Sequence, residues 1–175
     1  MNKRTGLILC GFPGIGKSAT QGLAEREGNF DFIDAESTPF RWVELRINGK
    51  RLPNRDFPDN YVDFIADCAG KYKVTLTATH KQVRDEMKRR GLAYIIVAPE
   101  KSLKDEYLLR YVARGSDMGL IEQVYDHWDE WLDELEEDGA PVIHLKSGQF
   151  LADVIVPECI QLRLRENRLR KAGVE

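Results

Sequence analysis

One eight-residue segment near the start of the chain constrains its fold more than any other feature. Gly11-Phe-Pro-Gly-Ile-Gly-Lys-Ser18 follows the short apolar run 6–10 and precedes a segment with the composition of a helix, 17–27. It matches the full GxxxxGK(S/T) pattern, the Walker A motif. Glycines at these positions allow backbone conformations and close approaches that a Cβ would block, so that successive N–H groups can surround a phosphate. The sequence therefore predicts a strand, a phosphate-binding loop and a helix, in that order.

The chemistry of this loop assigns roles to its residues. Lys17 is expected to reach the β- and γ-phosphates of a nucleotide, and the Ser18 hydroxyl is expected to coordinate Mg²⁺. The helix that follows presents its positive end to the phosphates. ATP and Mg²⁺ are therefore the predicted cofactors. The predicted nucleotide-binding residues are Gly11, Pro13, Gly14, Ile15, Gly16, Lys17, Ser18 and Ala19.

Four further β-type segments follow the first strand, at 30–34, 73–78, 93–98 and 141–145, and helical segments separate them. This alternation predicts an α/β protein, a three-layer P-loop NTPase fold with a five-stranded parallel sheet. The phosphate loop is expected at the carboxyl edge of that sheet. With 175 residues, the chain is expected to form a single domain, 1–175.

Composition and charge favour a cytoplasmic protein. A net charge of −3 argues against a protein that coats DNA, although a local basic groove would be compatible with it. The three cysteines, Cys10, Cys68 and Cys159, lie far apart and are expected to be small buried hydrophobic residues in a reducing compartment. No apolar stretch approaches the length that spans a bilayer, so no membrane association is expected.

Two acids follow the second predicted strand, as Asp34-Ala-Glu36. At the carboxyl edge of the sheet they would lie beside the phosphate loop. There they could hold Mg²⁺, for which Ser18 and Asp34 are the predicted ligands, or accept a proton from an acceptor hydroxyl. Helix capping or a solvated loop is the alternative for both acids.

These features resemble the small P-loop kinases of the nucleotide, shikimate and gluconate kinase group. The resemblance rests on the Walker A motif after the first strand, the D-x-(D/E) pair at 34–36 and a basic, lid-like helix after the fourth strand. It implies a nucleoside-monophosphate-kinase-like fold, and an acid pair that lies against the acceptor and the metal. The segments 54–61 and 79–84 also resemble uncharacterised phage-type P-loop kinases.

The third strand departs from the pattern of motor ATPases and GTPases. It ends at Thr79-His80 without the acid of a standard Walker B motif, and the Asn-Lys-x-Asp guanine signature is missing from the sequence. His80 is expected either to contact the acceptor or a phosphate, or to cap or pack against a helix. Thr79 is a hydrogen-bonding candidate by its position.

Two further regions are assigned roles at the site, one as a lid-like segment and one as an acceptor-binding insertion. The lid-like segment 100–116 carries Arg110 and Arg114 on one helical face, where they could neutralise the transferred phosphoryl group with help from Lys101 and Lys104. Solvated arginines, with Glu106 paired to Arg110, are the alternative. Irregular structure is predicted at 37–60, and 37–70 is the candidate acceptor-binding insertion. Its basic and aromatic residues are Arg41, Arg46, Arg51, Arg55, Trp42, Phe57 and Tyr61.

The last third of the chain is predicted to be structural. Tyr125, Trp128 and Trp131 are expected to pack on the apolar side of a long helix, 117–138, and the acidic run 133–138 is expected to be a solvated helix end. A basic helix is predicted to end the chain. Its arginines are expected to be mostly solvated: Arg163, Arg165, Arg168 and Arg170.

Three functions remain open at this level. The first is a kinase that moves the γ-phosphoryl group of ATP to a nucleotide or nucleoside-like acceptor, with Lys17, Asp34, Glu36, Arg110 and Arg114 as catalytic residues. The second differs in its acceptor, a hydroxyl of DNA at a polynucleotide end or on a hydroxymethylated base such as 5-hydroxymethyluridine. The third is a nucleotide-binding switch without an acceptor.

Overall fold

The computed structural model describes residues 6–26, 28, 31–48 and 50–155. The predicted beginning of the second strand at Phe30, the thiol of Cys159 and the basic C-terminal helix with its four arginines lie outside the described residues.

The described elements alternate between strands and helices. In chain order they are β1 (Leu7–Gly11), α1 (Lys17–Arg26), β2 (Phe32–Asp34), α2 (Thr38–Arg41), β3 (Trp42–Ile47), β4 (Lys50–Pro53), α3 (Asp59–Lys71), β5 (Val74–Ala78), α4 (Lys81–Arg89), β6 (Ile95–Pro99), α5 (Lys104–Ala113), α6 (Met118–Glu136) and β7 (Val142–Leu145). A 3-10 turn, Lys101–Leu103, precedes α5, and residues 151–155 are helical.

Five parallel strands form one sheet in the order β2-β5-β1-β6-β7. The central strands are buried along their length, as expected for a parallel sheet that is covered on both faces. β1 pairs with β5 in the register Leu7–Val74 and with β6 in the register Leu9–Ile95. The predicted α/β fold with a five-stranded parallel sheet is therefore confirmed.

The region 37–60 was expected to be irregular, and this prediction is wrong. Residues 38–41 form the short helix α2, and β3 and β4 pair as an antiparallel hairpin with an irregular register between Val43 and Arg46. A hairpin satisfies its backbone groups locally, so this region needs no partner in the main sheet.

The long helix α6 buries one of its aromatic residues deeply. Trp128 is 1% exposed, packs edge-on against Phe12 and donates an indole N–H to Lys101 O at 2.8 Å. Tyr125 was expected to pack in the core or against a helix, and at 58% exposed it is not part of the core. Lys104 Nζ lies 4.3 Å from the centre of the Tyr125 ring.

The acidic run 133–138 is not simply a solvated helix end, as the sequence had predicted. Asp138 and Arg84 are each 1% exposed in their side chains and form an ion pair. Asp138 also accepts hydrogen bonds from Tyr94 Oη at 2.8 Å and forms a 2.9 Å ion pair with Lys88. Burial of an arginine is costly unless carboxylates satisfy it, and two acids of this run provide them, Glu134 and Asp138.

Among the described residues, none of the helices combines the length and the apolar character needed to cross a membrane.

Replacement of Trp128 tests whether this residue anchors α6. We expect Trp128→Ala to lower the free energy of unfolding by about 3–5 kcal/mol, because a large buried side chain leaves a cavity and an unpaired carbonyl. Denaturant titration followed by circular dichroism measures this. The matched control, Tyr125→Ala on the same helix, is expected to cost less than about 1 kcal/mol because its ring is exposed. Equal losses in the two variants would contradict the assignment.

Candidate active site

Two glycines give the phosphate loop its shape. Gly14 and Gly16 have φ angles of +82° and +91°, which residues with a Cβ rarely adopt. A Cβ on Gly14 would lie 2.7 Å from Tyr111 Cε1 on α5. Tyr111 Oη also donates a 2.6 Å hydrogen bond to Pro13 O, so α5 braces the loop from outside.

Backbone bonds hold the remainder of the loop. Phe12 N donates to Val97 O of β6 at 2.9 Å, and Leu151 N donates to Ile15 O at 2.8 Å. The loop is therefore fastened to the neighbouring strand and to the segment after β7. Such fastening keeps its N–H groups in place for a phosphate.

Lys17 lines the cleft, and its ammonium donates a 3.0 Å hydrogen bond to Gly11 O. Burial lowers the pKa of Lys17, whereas the charges of Asp34 and then Glu36 act in the opposite direction. Both acids of the predicted pair are therefore close enough to act on this lysine.

Ser18 and Asp34, the two predicted metal ligands, are in contact. Ser18 Oγ donates a 2.7 Å hydrogen bond to Asp34 Oδ2, and Asp34 Oδ1 is buried without a hydrogen-bond partner in the described part of the chain. The Asp34 N–H donates to Gln21 Oε1 at 2.5 Å, which fixes the backbone at this point.

This pair suits Mg²⁺. A hydroxyl oxygen and an unsatisfied carboxylate oxygen are hard donors of the kind that Mg²⁺ prefers, with phosphate oxygens and water as the other ligands. Within 6–26, 28, 31–48 and 50–155, no group of three or more His, Cys, Asp or Glu residues could hold a metal ion. A complete cage of protein ligands is thus not formed by these residues, as is usual for Mg²⁺ at nucleotide sites.

Glu36 is held differently from Asp34. Its Oε1 accepts hydrogen bonds from Thr38 N at 3.2 Å and Thr38 Oγ1 at 2.8 Å, at the beginning of α2. Burial by itself would raise the pKa of Glu36. The hydrogen bonds from Thr38 and the charge of Lys17 lower it by more, so the pKa of Glu36 lies below its usual range. The sequence had left open whether Glu36 lies at the phosphate site or caps a helix. In the structure it does both, because it lines the cleft and accepts the Thr38 N–H at the beginning of α2.

Tyr61 links the acid pair to the third strand of the sheet, a role that sequence reasoning missed. Its hydroxyl donates to Ala35 O, between Asp34 and Glu36, and lies 3.1 Å from Thr77 Oγ1. Burial raises the pKa of this phenol, so it stays protonated. Helical spacing placed Tyr61 on the buried face of α3, but no local signal indicated where its hydroxyl would bind.

His80 faces the cleft from the end of β5. Its Nε2 lies 3.4 Å from Ser37 Oγ, and its side chain makes no capping bond to α4. Burial lowers the pKa of His80 to about 4, and the charges of Arg41 and Lys17 contribute. The imidazole is therefore neutral at pH 7. Thr79 also lines the cleft.

Arg110 and Arg114 both line the cleft. Arg110 donates to Glu106 Oε1 at 2.5 Å and to Gln149 O at 3.0 Å, and its guanidinium lies 4.0 Å from the centre of the Phe150 ring. Arg114 donates to Ser116 Oγ at 2.5 Å and has no carboxylate partner among the described residues. Arg110 is thus both a cleft residue and the partner of Glu106.

The two lysines that were expected to assist them lie elsewhere. Lys101 pairs with Asp133, and Lys104 lies over Tyr125. Neither residue lines the cleft, so the expectation that they assist the lid arginines is wrong for this structure.

The cleft encloses about 1030 Å³ above the phosphate loop. The predicted acceptor region contributes Ser37, Thr38, Arg41 and Trp42 to its wall. Arg51 and Arg55 are exposed and do not line it, and the side chain of Arg46 lies outside the described part of the structure. The three arginines of this region whose side chains are described, Arg41, Arg51 and Arg55, therefore do not form one basic groove.

No protein-family model and no curated protein matches the sequence. Among solved structures, the tunicamycin resistance protein of Deinococcus radiodurans is similar over 90% of this chain and 95% of that chain, with a TM-score of 0.56 and 18% identity. This similarity shows a shared fold.

Two further structures are similar with a TM-score of 0.49. One is a gluconokinase from Sinorhizobium meliloti 1021, with 16% identity over 98% of this chain and 99% of that chain. The other is the shikimate kinase of Aquifex aeolicus vf5, with 20% identity over 93% of this chain and 98% of that chain. The structure with the higher score and the observed sheet order agree with the predicted α/β fold.

The glycine geometry gives a test of the loop. We expect Gly14→Ala to weaken ATP binding by about tenfold or more, because the left-handed conformation and the Tyr111 ring both oppose a Cβ. Isothermal titration calorimetry with an ATP analogue measures this. Gly22→Ala on α1 meets no neighbouring atom and should leave binding within about twofold while stabilising the helix by up to about 1 kcal/mol. Unchanged affinity in Gly14→Ala would contradict this geometry.

The neutral His80 makes stability depend on pH. Its folded-state pKa of about 4 lies below the ordinary value of 6.5, so between these values the unfolded chain binds a proton that the folded chain does not. The contribution of His80 to stability is complete above about pH 6.5 and falls as the pH drops toward 4. We expect His80→Gln to lose less stability than the wild type over this window, in denaturant titrations at each pH. Parallel pH profiles of the two proteins would show that His80 does not titrate in this way.

Proposed function

We propose that this chain is an ATP-dependent kinase that moves the γ-phosphoryl group of ATP to a nucleotide or nucleoside-like acceptor. One observation carries the proposal. The Ser18–Asp34 pair, with its unsatisfied carboxylate oxygen, lines the same cleft as Lys17. A metal site and a lysine on one cleft can bind the phosphates of a nucleotide, and the same cleft has room for an acceptor beside them.

The proposed nucleotide site uses the loop and the beginning of α1. The N–H groups of the loop and the positive end of α1 would bind the phosphates, and Lys17 would exchange Gly11 O for a phosphate oxygen. Ser18 and Asp34 would hold Mg²⁺, which when bound neutralises charge on the phosphates. Arg114 has no carboxylate partner among the described residues and is therefore available to the transferred group from the lid-like segment.

The proposed acceptor site lies between the segment after β2 and the end of β5. Ser37, Thr38, Arg41 and Trp42 come from the predicted acceptor insertion, and His80 faces them. A guanidinium near an aromatic side chain suits a nucleotide-like acceptor, because it can bind an anionic group while the ring packs on an apolar one.

The two acids are proposed to have different roles. Glu36 has a lowered pKa and two bonds to Thr38, so it is a weak base that orients the beginning of α2. Asp34 keeps one oxygen free, and it is the better candidate to bind the metal or to orient an acceptor hydroxyl. A phosphate acceptor would need no base.

The alternatives have less support. A DNA acceptor would call for an extended basic surface, and Arg41 is the one arginine of its described group that lines the cleft. A switch that binds only a nucleotide would have no second ligand for the polar wall formed by Ser37, Thr38 and His80, so it does not account for this part of the cleft.

The assay that tests the proposal follows label from γ-labelled ATP and Mg²⁺ into separate pools of nucleoside monophosphates, nucleosides and DNA. We expect transfer to one of the first two pools, and loss of transfer in Lys17→Ala because the phosphates lose the cation expected to neutralise them. Label released only as inorganic phosphate would contradict a kinase and favour a switch. Transfer to DNA would favour a kinase whose acceptor is a hydroxyl of DNA.

Replacement of each acid tests their separate roles. We expect Asp34→Asn to lower kcat by about 100-fold or more, because it weakens the metal site, and Glu36→Gln to lower it by about 10-fold, because α2 is less well oriented. Initial rates at increasing Mg²⁺ concentration measure this, and the Asp34 variant should need more Mg²⁺. Equal losses, with the same Mg²⁺ dependence, would contradict the division of roles.

A further inference from the structure

One turn of α6 faces the cleft with an unusual combination of side chains. Trp131, Glu134 and Leu135 all line the cavity. Two of them are apolar, and Glu134 is the carboxylate that α6 contributes to the described lining. Its side chain is 39% exposed, so the carboxylate can be reached from the cleft.

A fully buried arginine holds this carboxylate. Arg84 donates from Nη2 to Glu134 Oε1, from Nη1 to Asp138 Oδ2 and from Nε to Thr79 O at 3.1 Å. Three acceptors hold the Arg84 guanidinium in place. Its hydrogen bond to Glu134 therefore also fixes the orientation of the Glu134 carboxylate. The same guanidinium thus joins α6 to the end of β5.

The second oxygen of Glu134 is unused. Its Oε1 binds Arg84, whereas Oε2 makes no hydrogen bond to any residue in the described parts of the chain. When a carboxylate lines a cavity and is held by a buried cation through one oxygen, its other oxygen can accept a hydrogen bond from an O–H or N–H group. Trp131 and Leu135 of the same helix add apolar side chains to the lining of this cleft.

Glu134 lies on the side of the cleft where the acceptor is proposed to bind, and not on the side of the nucleotide base. Its partner Arg84 also holds Thr79, the neighbour of His80, at the end of β5. The pKa of Lys81 is raised by its hydrogen bond to Asp85 and also by the charge of Glu134, so Glu134 lies close to the beginning of α4. Arg110 and Phe150, in contrast, approach the loop from α5 and the segment after β7.

We propose that Glu134 is a specificity-determining residue, which accepts a hydrogen bond from a neutral O–H or N–H donor of the phosphoryl acceptor. This inference rests on the proposed kinase function. A sugar hydroxyl and an exocyclic amino group are both neutral hydrogen-bond donors, so either of them could be the group that Glu134 binds. A carboxylate at this point also disfavours acceptors that place an anionic group there, so the anionic group of a nucleotide would lie toward Arg41 instead.

The test compares Glu134→Gln with the matched control Glu130→Gln. The glutamine keeps a carbonyl oxygen for Arg84, so the fold should survive. Glu130 lies one turn earlier on α6, is 73% exposed and does not line the cleft. We expect Glu134→Gln to raise the acceptor KM by about tenfold or more while the KM for ATP stays within about twofold, because a charge-assisted hydrogen bond is lost. Glu130→Gln should change neither value.

Paired acceptors identify the donor. Adenosine and its 5′-monophosphate are compared with their 2′,3′-dideoxy forms, which lack the hydroxyls, and with purine riboside and its 5′-monophosphate, which lack the amino group. In the wild type, one of these changes should raise the acceptor KM, and in Glu134→Gln the same change should have no further effect. An unchanged acceptor KM in Glu134→Gln, or an equal rise in both KM values, would overturn the inference.

Binding measurements keep this test separate from the kinase proposal. The same acceptors are titrated calorimetrically into protein loaded with Mg²⁺ and a non-hydrolysable ATP analogue. If the wild type transfers no phosphoryl group, the kinase proposal fails, but weaker acceptor binding in Glu134→Gln than in the wild type would still support the role of Glu134. Failure of the loaded wild type to bind any of these acceptors would overturn it.

Discussion

The parallel pairing of β1 with β5 on one side and β6 on the other determines where every functional loop of this chain lies. Carboxyl ends of parallel strands meet at the same edge, so the phosphate loop after β1 is flanked by the ends of its neighbours. Asp34 at the end of β2 and His80 after β5 reach the cleft for this reason. The crossover helices cover the faces of the sheet, and that leaves this edge open to a ligand.

Charge in the cleft is balanced through a small number of paired groups. Lys17 is half-buried and is compensated by Asp34 and Glu36, while Arg84 is fully buried and compensated by Glu134 and Asp138. The first set is suited to change partners, because Lys17 binds only a backbone carbonyl and Asp34 has an oxygen without a partner in the described structure. The second set is saturated around its arginine, so it is suited to hold the wall of the cleft in place.

The sequence was a good guide where the signal is local, and a poor one where partners come from distant elements. The loop 11–18 and the five strands follow from spacing and periodicity, which depend on neighbouring residues. The acids at 133–138 looked like a solvated helix end, because nothing nearby in the sequence indicates that Arg84, about 50 residues earlier, is buried against two of them. Tyr125 and Trp128 share an apolar stripe, but packing against Phe12 and Lys101 selects Trp128 for the core.

By itself, the sequence determined the parallel α/β fold and the residues of the phosphate loop, because glycine conformation, strand burial and helix spacing are properties of short segments. Tertiary structure decided which side chains meet at the carboxyl edge. It placed Ser18 against Asp34, Glu36 against Thr38, and Glu134 on the wall of the cleft with Oε1 bound to Arg84. Hydrogen bonds and ion pairs act over a few ångströms of space, whatever the separation of the residues along the chain, and so these contacts exist only once the sheet and its helices are assembled.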